Sequence, residues 1–289
     1  MEAFKEKTFK MITYVAALAT ILFLFGIIAS VFYEGIPLFK SVGFLEFLFT
    51  KAWYPTHEDA QFGIWTLIAG SFYATLGALI IAVPLGLGSA IFISEIAGFR
   101  LREMAKPVIE LLAAIPSVVY GLFGMAFLAP LIRETFDLPT GLNMLTSSII
   151  LGLMVVPIIA SMSEDALSSV PKALREASFA LGATKWETIT KVVVPAAKSG
   201  IIGSILLGFG RAIGETMVVL MVAGGSAQIP KSIFQSIRPM TSTIAAEMGE
   251  TVVGDLHYRS LFAIAIVLFV ITLVTNLVTE LVFLKRVKR

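Results

Sequence analysis

Residues 168–195, SSVPKALREASFALGATKWETITKVVVP, form a polar stretch between two long apolar runs. The stretch contains six charged side chains among residues with good helix propensity. Pro171 suits the first turn of a helix, and Gly182 suits a helix end in the left-handed conformation. Thr184 and Glu187, three residues apart, form the pattern of a capping box. The sequence therefore predicts two short helices joined by a bend, exposed to water at a membrane surface.

The remaining sequence is typical of a membrane protein. Of its 289 residues, 57% are hydrophobic and 15% are charged. A helix needs ~20 apolar residues to cross the hydrocarbon core. We predict an all-α polytopic protein with six transmembrane helices, of which the first is an anchor because it is longer than a signal-peptide core. The predicted spans are 11–33, 64–93, 107–132, 142–163, 199–222 and 260–284.

The positive charges indicate how these spans are oriented. With a cytoplasmic N-terminus, fifteen Lys and Arg residues fall in inner segments and six in outer segments, leaving Arg211 within a span. This bias satisfies the positive-inside rule. Both termini are then cytoplasmic, and the polar stretch 168–195 lies on the cytoplasmic side as well.

Several function classes find no support in the sequence. There is no cysteine, so a disulfide framework and thiolate chemistry are excluded. His57 and His257 lie far apart in predicted loops, and we expect both to be solvated and no metal to be bound. Trp53 suits the membrane interface. No Gly-x4-Gly-Lys-Ser/Thr phosphate loop occurs, so the chain is expected to bind no cofactor and to hydrolyse no ATP itself.

Prolines interrupt two of the predicted spans. Pro84 is expected to kink span two. Pro116, followed by Ser117, lies within predicted span three, where a proline frees a backbone carbonyl that could face a pore. A kink that only serves packing is the alternative for both positions.

Span five contains two charges in an otherwise uncharged run, Arg211 and Glu215. Each charge at the bilayer centre costs ~2.5–3.5 kcal/mol, so such a pair suggests a function. Four residues apart, the two side chains are predicted to share one helix face. An arginine fork matches an oxyanion bidentately, and Glu215 can hold Arg211 when no anion is present. A structural ion pair that fixes two helices remains the alternative.

The polar stretch resembles the EAA loop of ABC-importer permeases, through Glu176-Ala177-Ser178, Gly182 and Val192–Pro195 at the family's spacing. Ser178 replaces the second alanine, and two valines replace Ile and Leu. The resemblance implies a type I importer permease fold. It also implies that Glu176, Ala177 and Gly182 lie in coupling helices that dock on a cytoplasmic ATPase.

Other segments resemble the C subunit of the Pst-type phosphate-importer permeases, namely Gly210–Thr216, Ala114–Gly121 and Glu247–Glu250. The similarity covers about 62–289 within a single domain, 1–289. It implies an inner-membrane permease subunit of an ATP-driven phosphate importer, with Arg211 and Glu215 in the translocation path. The implied partners are a homologous permease in a heterodimer, two ATPase subunits that use ATP and Mg, and an extracytoplasmic phosphate-binding protein. Membrane lipid surrounds the chain, and no nucleic acid is involved.

Three alternatives remain open at the sequence level. The permease could carry another oxyanion, such as sulfate or molybdate. An ion-coupled secondary transporter is disfavoured by the EAA-type loop and by the scarcity of membrane-embedded carboxylates. A membrane-embedded enzyme has no supporting arrangement of residues.

Overall fold

The computed structural model describes the backbone of residues 2–287 and the side chains of residue 6 and residues 9–278. Helices dominate the chain, which confirms the all-α prediction. Both chain ends were predicted to be cytoplasmic, and their terminal residues Met1, Lys288 and Arg289 lie outside the described residues. In chain order the elements are α1 (Glu2–Gly35), α2 (Phe44–Phe49), β1 (Trp53–Tyr54), β2 (Gln61–Phe62), α3 (Trp65–Ile91), α4 (Phe99–Ala113), α5 (Ser117–Phe123), α6 (Ala129–Thr135), α7 (Met144–Ser168), α8 (Lys172–Ala180), α9 (Lys185–Thr188), α10 (Val194–Ala196), α11 (Lys198–Ile213), α12 (Met217–Val222), α13 (Met240–Glu247) and α14 (Leu256–Val287).

The helices account for five to six membrane spans within the described residues. Two consecutive helices, Lys185–Ala196 and Lys198–Ile213, meet at a bend of 68°. If this bent pair is counted as one span, it is the sixth. The bend follows Pro195. The five single spans are Phe9–Lys40, Trp65–Ile96, Ser117–Thr135, Met144–Ser168 and Leu256–Val278.

Helices α3 and α7 form the centre of the molecule. Ala78 of α3 and Leu151 of α7 are fully buried in one apolar cluster, which α12 completes with Val222. A Cβ atom on Gly86 would lie 2.8 Å from Cγ2 of Ile159, so a side chain there would push the two helices apart. By contrast, no residue in the most apolar window of α1 is buried. The first span therefore lies outside the central packing of α3 and α7.

The third span begins later than predicted. Ala114, Ile115 and Pro116 separate α4 from α5, and Pro116 is the N-cap of α5 rather than a residue inside a helix. Proline disfavours the helical conformation of the residue before it, so the chain breaks at this point. The region preceding the break is the amphipathic helix α4, which continues through Pro107 and includes the first residues of the predicted span 107–132.

Candidate functional site

The polar loop has the predicted local structure. Pro171 is the N-cap of α8, one position before the predicted first turn. Gly182 takes a φ of +82°, which is the left-handed conformation that glycine adopts without steric cost. The capping box is present, because the Glu187 N–H donates to Thr184 Oγ1 and the Thr184 N–H donates to Glu187 Oε2.

The Glu187 carboxylate of the capping box stays ionised over the physiological pH range. The Thr184 backbone N–H, the Lys191 ammonium and the Thr184 hydroxyl donate hydrogen bonds to Glu187 and lower its pKa to about 2. Because the pKa is lower in the folded chain, the ionised carboxylate stabilises the fold at pH values above the ordinary pKa of a glutamate. This contribution is lost only as the pH falls towards the pKa of the folded state. We therefore expect no change in the start of α9 around neutral pH.

The two loop helices present an apolar surface to solvent. Glu176 and Ala177 are exposed on α8, and the Leu181 side chain is 89% exposed. An open groove of about 510 Å³ lies between the helices and includes Ala177 and Gly182. Exposed apolar side chains beside a groove are typical of a docking surface. The structure thus brings Glu176, Ala177 and Gly182 together on one loop, where their role in docking stays a prediction.

Ser178 is a residue whose role the sequence did not reveal. Its hydroxyl lies 2.9 Å from Oγ1 of Thr188, and both side chains are buried between α8 and the second loop helix. Ser178 is also the one buried residue of α8. The substitution of this serine for alanine in the loop pattern therefore adds a hydrogen bond that joins the two loop helices.

The fifth span is discontinuous, which corrects the prediction of one helix over 199–222. Helix α11 ends at Ile213, and α12 starts at Met217. Glu215 lies in the break, and its Oε1 accepts a hydrogen bond from the Met217 N–H at 3.1 Å. Gly214 weakens the helix here, and the Glu215 carboxylate competes for backbone donors that a continuous helix would use.

Arg211 and Glu215 form an ion pair across this break. Nη1 of Arg211 donates to Oε2 of Glu215 at 2.6 Å. The Glu215 side chain is 3% exposed, whereas that of Arg211 is 44% exposed. The Glu215 backbone carbonyl also accepts a hydrogen bond from the Thr241 hydroxyl at 2.7 Å. Glu215 is thus held through its carboxylate by Arg211 and the Met217 N–H, and through its backbone carbonyl by Thr241.

The guanidinium retains capacity for another ligand. Besides Glu215, its one polar partner among the described residues is the Met154 sulfur, 3.8 Å from Nη2. A guanidinium presents five N–H donors in a planar fork, and two of them match two oxygens of an oxyanion. Since the helix break holds Glu215 in place, Arg211 is the partner that is free to engage an anion.

The remaining predicted positions lie elsewhere. Pro84 is exposed inside α3 and lines an apolar groove shared with α4, and its predicted kink stays a prediction. Pro116 and Ser117 start α5, which packs against α12, where a Cβ on Gly121 would lie 2.6 Å from Met221 Sδ. The two interrupted spans are thus neighbours, and no hydrogen bond joins Ser117 to Arg211 among the described residues.

A third polar cluster joins β1, α13 and the start of α14, and it corrects two predictions. The Glu247 carboxylate accepts from Nε1 of Trp53 at 3.1 Å and from Nη1 of Arg238 at 2.6 Å. Nε2 of His257 lies 2.8 Å from the same carboxylate. His257 is 12% exposed and Trp53 is 3% exposed, so the histidine is not solvated and the tryptophan does not face the membrane interface.

We expect Glu247→Gln to destabilise the packing of α13 against β1 and α14. The substitution weakens the bond to Arg238 and the contact with His257, at a cost of ~1–3 kcal/mol for a half-buried charged group. The midpoint of thermal inactivation of the purified complex should fall, whereas Glu250→Gln, an exposed residue lining the same cavity, should leave it unchanged. An unchanged midpoint for Glu247→Gln would contradict a stabilising role for this cluster.

The packed helices, the interrupted fifth span and the two-helix polar loop define the membrane-spanning component of a transporter. The sequence pattern of the family described as the binding-protein-dependent transport system inner membrane component matches residues 82–288, and the chain belongs to this family. It is therefore a multi-pass inner-membrane permease of an ABC importer, as predicted.

Curated relatives extend the match beyond this region. The chain is 42% identical to the probable ABC transporter permease protein YqgH of Bacillus subtilis (strain 168), over 81% of this chain and 76% of the relative. It is 36% identical to the phosphate transport system permease protein PstC of Mesorhizobium japonicum, over 93% of this chain and 87% of the relative. PstC of Haemophilus influenzae is 35% identical over 97% and 93%.

Solved structures support the fold. A bacterial alginate ABC transporter in complex with a periplasmic protein aligns with a TM-score of 0.63 at 18% identity, covering 95% of this chain and 94% of that chain. The MetNI methionine ABC transporter in an inward-facing conformation aligns with a TM-score of 0.53 at 20% identity, covering 76% and 94%. These likenesses confirm the ABC-importer permease fold.

Proposed function

We propose that this chain is the transmembrane permease subunit of an ATP-driven importer of inorganic phosphate and forms half of the translocation path. The observation that carries this proposal is the half-exposed Arg211 at a helix break, held by the buried carboxylate of Glu215. Discontinuous membrane helices are where transporters place their substrate sites. The PstC relatives, named as phosphate transport permeases, support phosphate among the oxyanions.

Arg211 attracts the anion, and Glu215 resets the site. When an anion approaches, the fork exchanges part of its bonding from the carboxylate to the anion oxygens. Because the Met217 N–H fixes Glu215, the carboxylate stays in place while the guanidinium moves. The nearby negative charge limits the affinity, so the anion can leave again.

The partners follow from the proposed docking surface. Glu176, Ala177 and Gly182 contact a cytoplasmic ATPase, two copies of which hold ATP and Mg. A homologous permease subunit completes the path as a heterodimer, and an extracytoplasmic phosphate-binding protein delivers the anion. The exposed groove between α8 and α9 supports this assignment, since a docking helix pair needs a free apolar face.

Cysteine labelling tests the proposed orientation, with the loop 168–195 and both termini in the cytoplasm. The chain has no cysteine, so Leu181→Cys and Val253→Cys each introduce one reactive thiol. Both positions are well exposed, at 89% and 77%. A membrane-impermeant maleimide should label Val253→Cys in intact cells and Leu181→Cys only after the membrane is opened. The reverse pattern would remove the argument for ATPase docking.

Uptake into proteoliposomes with the assembled complex tests the function. We expect accumulation of radiolabelled phosphate that requires ATP and the binding protein, with little competition from sulfate or molybdate. Stronger transport of sulfate or molybdate would assign another oxyanion. Uptake that persists without ATP but stops with a proton ionophore would identify a secondary transporter.

A further inference from the structure

Arg175 of α8 makes an unusual number of bonds for a surface loop. Its Nε and Nη2 donate to the two carboxylate oxygens of Glu95, at 3.3 and 2.6 Å. Nη2 also donates to the Leu167 carbonyl at 2.9 Å, and Nη1 donates to the Val170 carbonyl at 2.5 Å. The side chain is 19% exposed. The guanidinium thus joins α8 to the end of α7 and to Glu95.

Glu95 belongs to the end of the second span. It lies in the π-helical turn Phe92–Ile96 that follows α3, and its side chain is 9% exposed. Single π-helical turns occur frequently at functional sites. Glu95 and Arg175 are 80 residues apart in the chain, so their fork is a direct connection between span two and the first loop helix.

The same polar network continues to α4. The hydroxyls of Ser94 and Ser168 are 3.4 Å apart, and Nη2 of Arg102 donates to Ser168 Oγ at 2.6 Å. Lys106 donates to Asp165 and to Glu164, and these hydrogen bonds raise the pKa of Lys106. Span two, α4 and the end of α7 are therefore joined by polar bonds at one level.

Packing alone does not hold α8 against these elements. Ser178 is its one buried residue, and a cavity of about 370 Å³ opens beside Arg175 and Glu95. The covalent link to α7 is short, residues 169–171, and a hydrogen bond between Ser178 and Thr188 joins α8 to the second loop helix. By contrast, apolar packing holds the chain that follows α9, because Val193 lies in one buried cluster with Leu167 of α7. The fork therefore joins α8 directly to the end of span two.

We propose that the Arg175–Glu95 fork positions the first loop helix so that it moves as one body with the inner ends of spans two and four. This inference rests on the proposed function, in which an ATPase moves the loop. Arg175 is a positioning residue, since it acts through span two and not on the transported ion. Without the fork, α8 pivots when the loop moves, and the movement is not transmitted to the spans.

Substitutions separate this role from general support. In Arg175→Met the complex should assemble and hydrolyse ATP, but the ions transported per ATP should fall about five- to tenfold. Arg175→Lys keeps the charge without the fork and should lie in between. The matched control is Lys172→Met, which removes an exposed positive charge from the same helix and should match the parent. A parental ratio of ions to ATP in Arg175→Met would overturn the proposal.

A disulfide tests the rigid connection even if Arg175→Met fails to assemble. Ser94→Cys with Ser168→Cys places two thiols where the hydroxyls are 3.4 Å apart. If the two ends move together, uptake should be equal in the oxidised and reduced states. Arrest of uptake on oxidation and recovery on reduction would show that the ends separate, and the proposal would be wrong. The ratio of ions transported to ATP hydrolysed in Arg175→Met can be measured for whichever ion the parental complex carries. That test therefore does not depend on the assignment of phosphate.

Discussion

Arg211→Lys will lower phosphate uptake about tenfold or more while the complex still assembles. Lysine keeps the charge but replaces the planar fork by a single ammonium group. In the structure one donor of Arg211 reaches Glu215 at 2.6 Å, which leaves other donors for an anion. Losing one charge-assisted hydrogen bond costs ~1.5–3 kcal/mol, which corresponds to about tenfold to a hundredfold.

Glu215→Gln should also lower uptake, for a different reason. The glutamine oxygen can still accept from the Met217 N–H, so the helix break is preserved. Without the negative charge, Arg211 is uncompensated in the empty path and holds the anion too long. The Michaelis constant for phosphate is therefore expected to fall together with the maximal rate, a combination that misfolding does not produce.

A neutral double variant separates a translocation pair from a structural one. A structural ion pair can often be replaced by uncharged residues at little cost. Glu215 also caps α12, so Arg211→Met is combined with Glu215→Gln rather than with a second methionine. If this variant assembles and transports phosphate at near the parental rate, the pair is structural and the site assignment fails. Arg133→Lys, at an exposed arginine of α6, serves as the control.

The accuracy of the sequence predictions depends on how local each feature is. The loop bend at Gly182 and the capping box of Thr184 and Glu187 use signals within a few residues, and the structure has both. Apolar composition also locates spans two, four and six, since length and hydropathy suffice for this. Local signals therefore predicted the backbone structure of the polar loop correctly.

The break in span five and the late start of span three were missed because apolar runs carry no information on backbone continuity. The Glu215 carboxylate interrupts its helix by bonding to the Met217 N–H, which composition does not reveal. Before Pro116, the apolar residues of α4 recur at helical spacing. This period was the signal in the sequence that a separate amphipathic helix precedes the third span.

Long-range pairs were beyond prediction for a physical reason. The partner of Arg175 is 80 residues away, and that of Trp53 is 194 residues away. Which charges meet depends on how the helices pack, and one sequence does not specify this. Glu247 illustrates the limit, since the sequence showed it only as part of a family segment, whereas in the structure it is the centre of a polar cluster with Arg238 and His257.

Gly182→Val will uncouple the chain from its ATPase without preventing membrane insertion. The φ of +82° is strained for a β-branched residue and costs ~1–3 kcal/mol. No atom lies within 4 Å of a Cβ placed at this position, so the backbone conformation is the sole source of the strain. The bend then opens, and the groove beside Ala177 loses its shape.

A graded series makes this prediction sharp. Asparagine tolerates the left-handed conformation, so Gly182→Asn should retain most coupling, Gly182→Ala less and Gly182→Val least. The matched control is Gly98→Val, at an inner glycine with a φ of −68° and open space around it. ATPase association is measured by co-purification, and coupling by the hydrolysis that the loaded binding protein stimulates. For valine we expect a loss of about tenfold or more. Parental association and stimulation in Gly182→Val would mean that the bend has no part in docking, because strain at this position can act only through the orientation of the two loop helices.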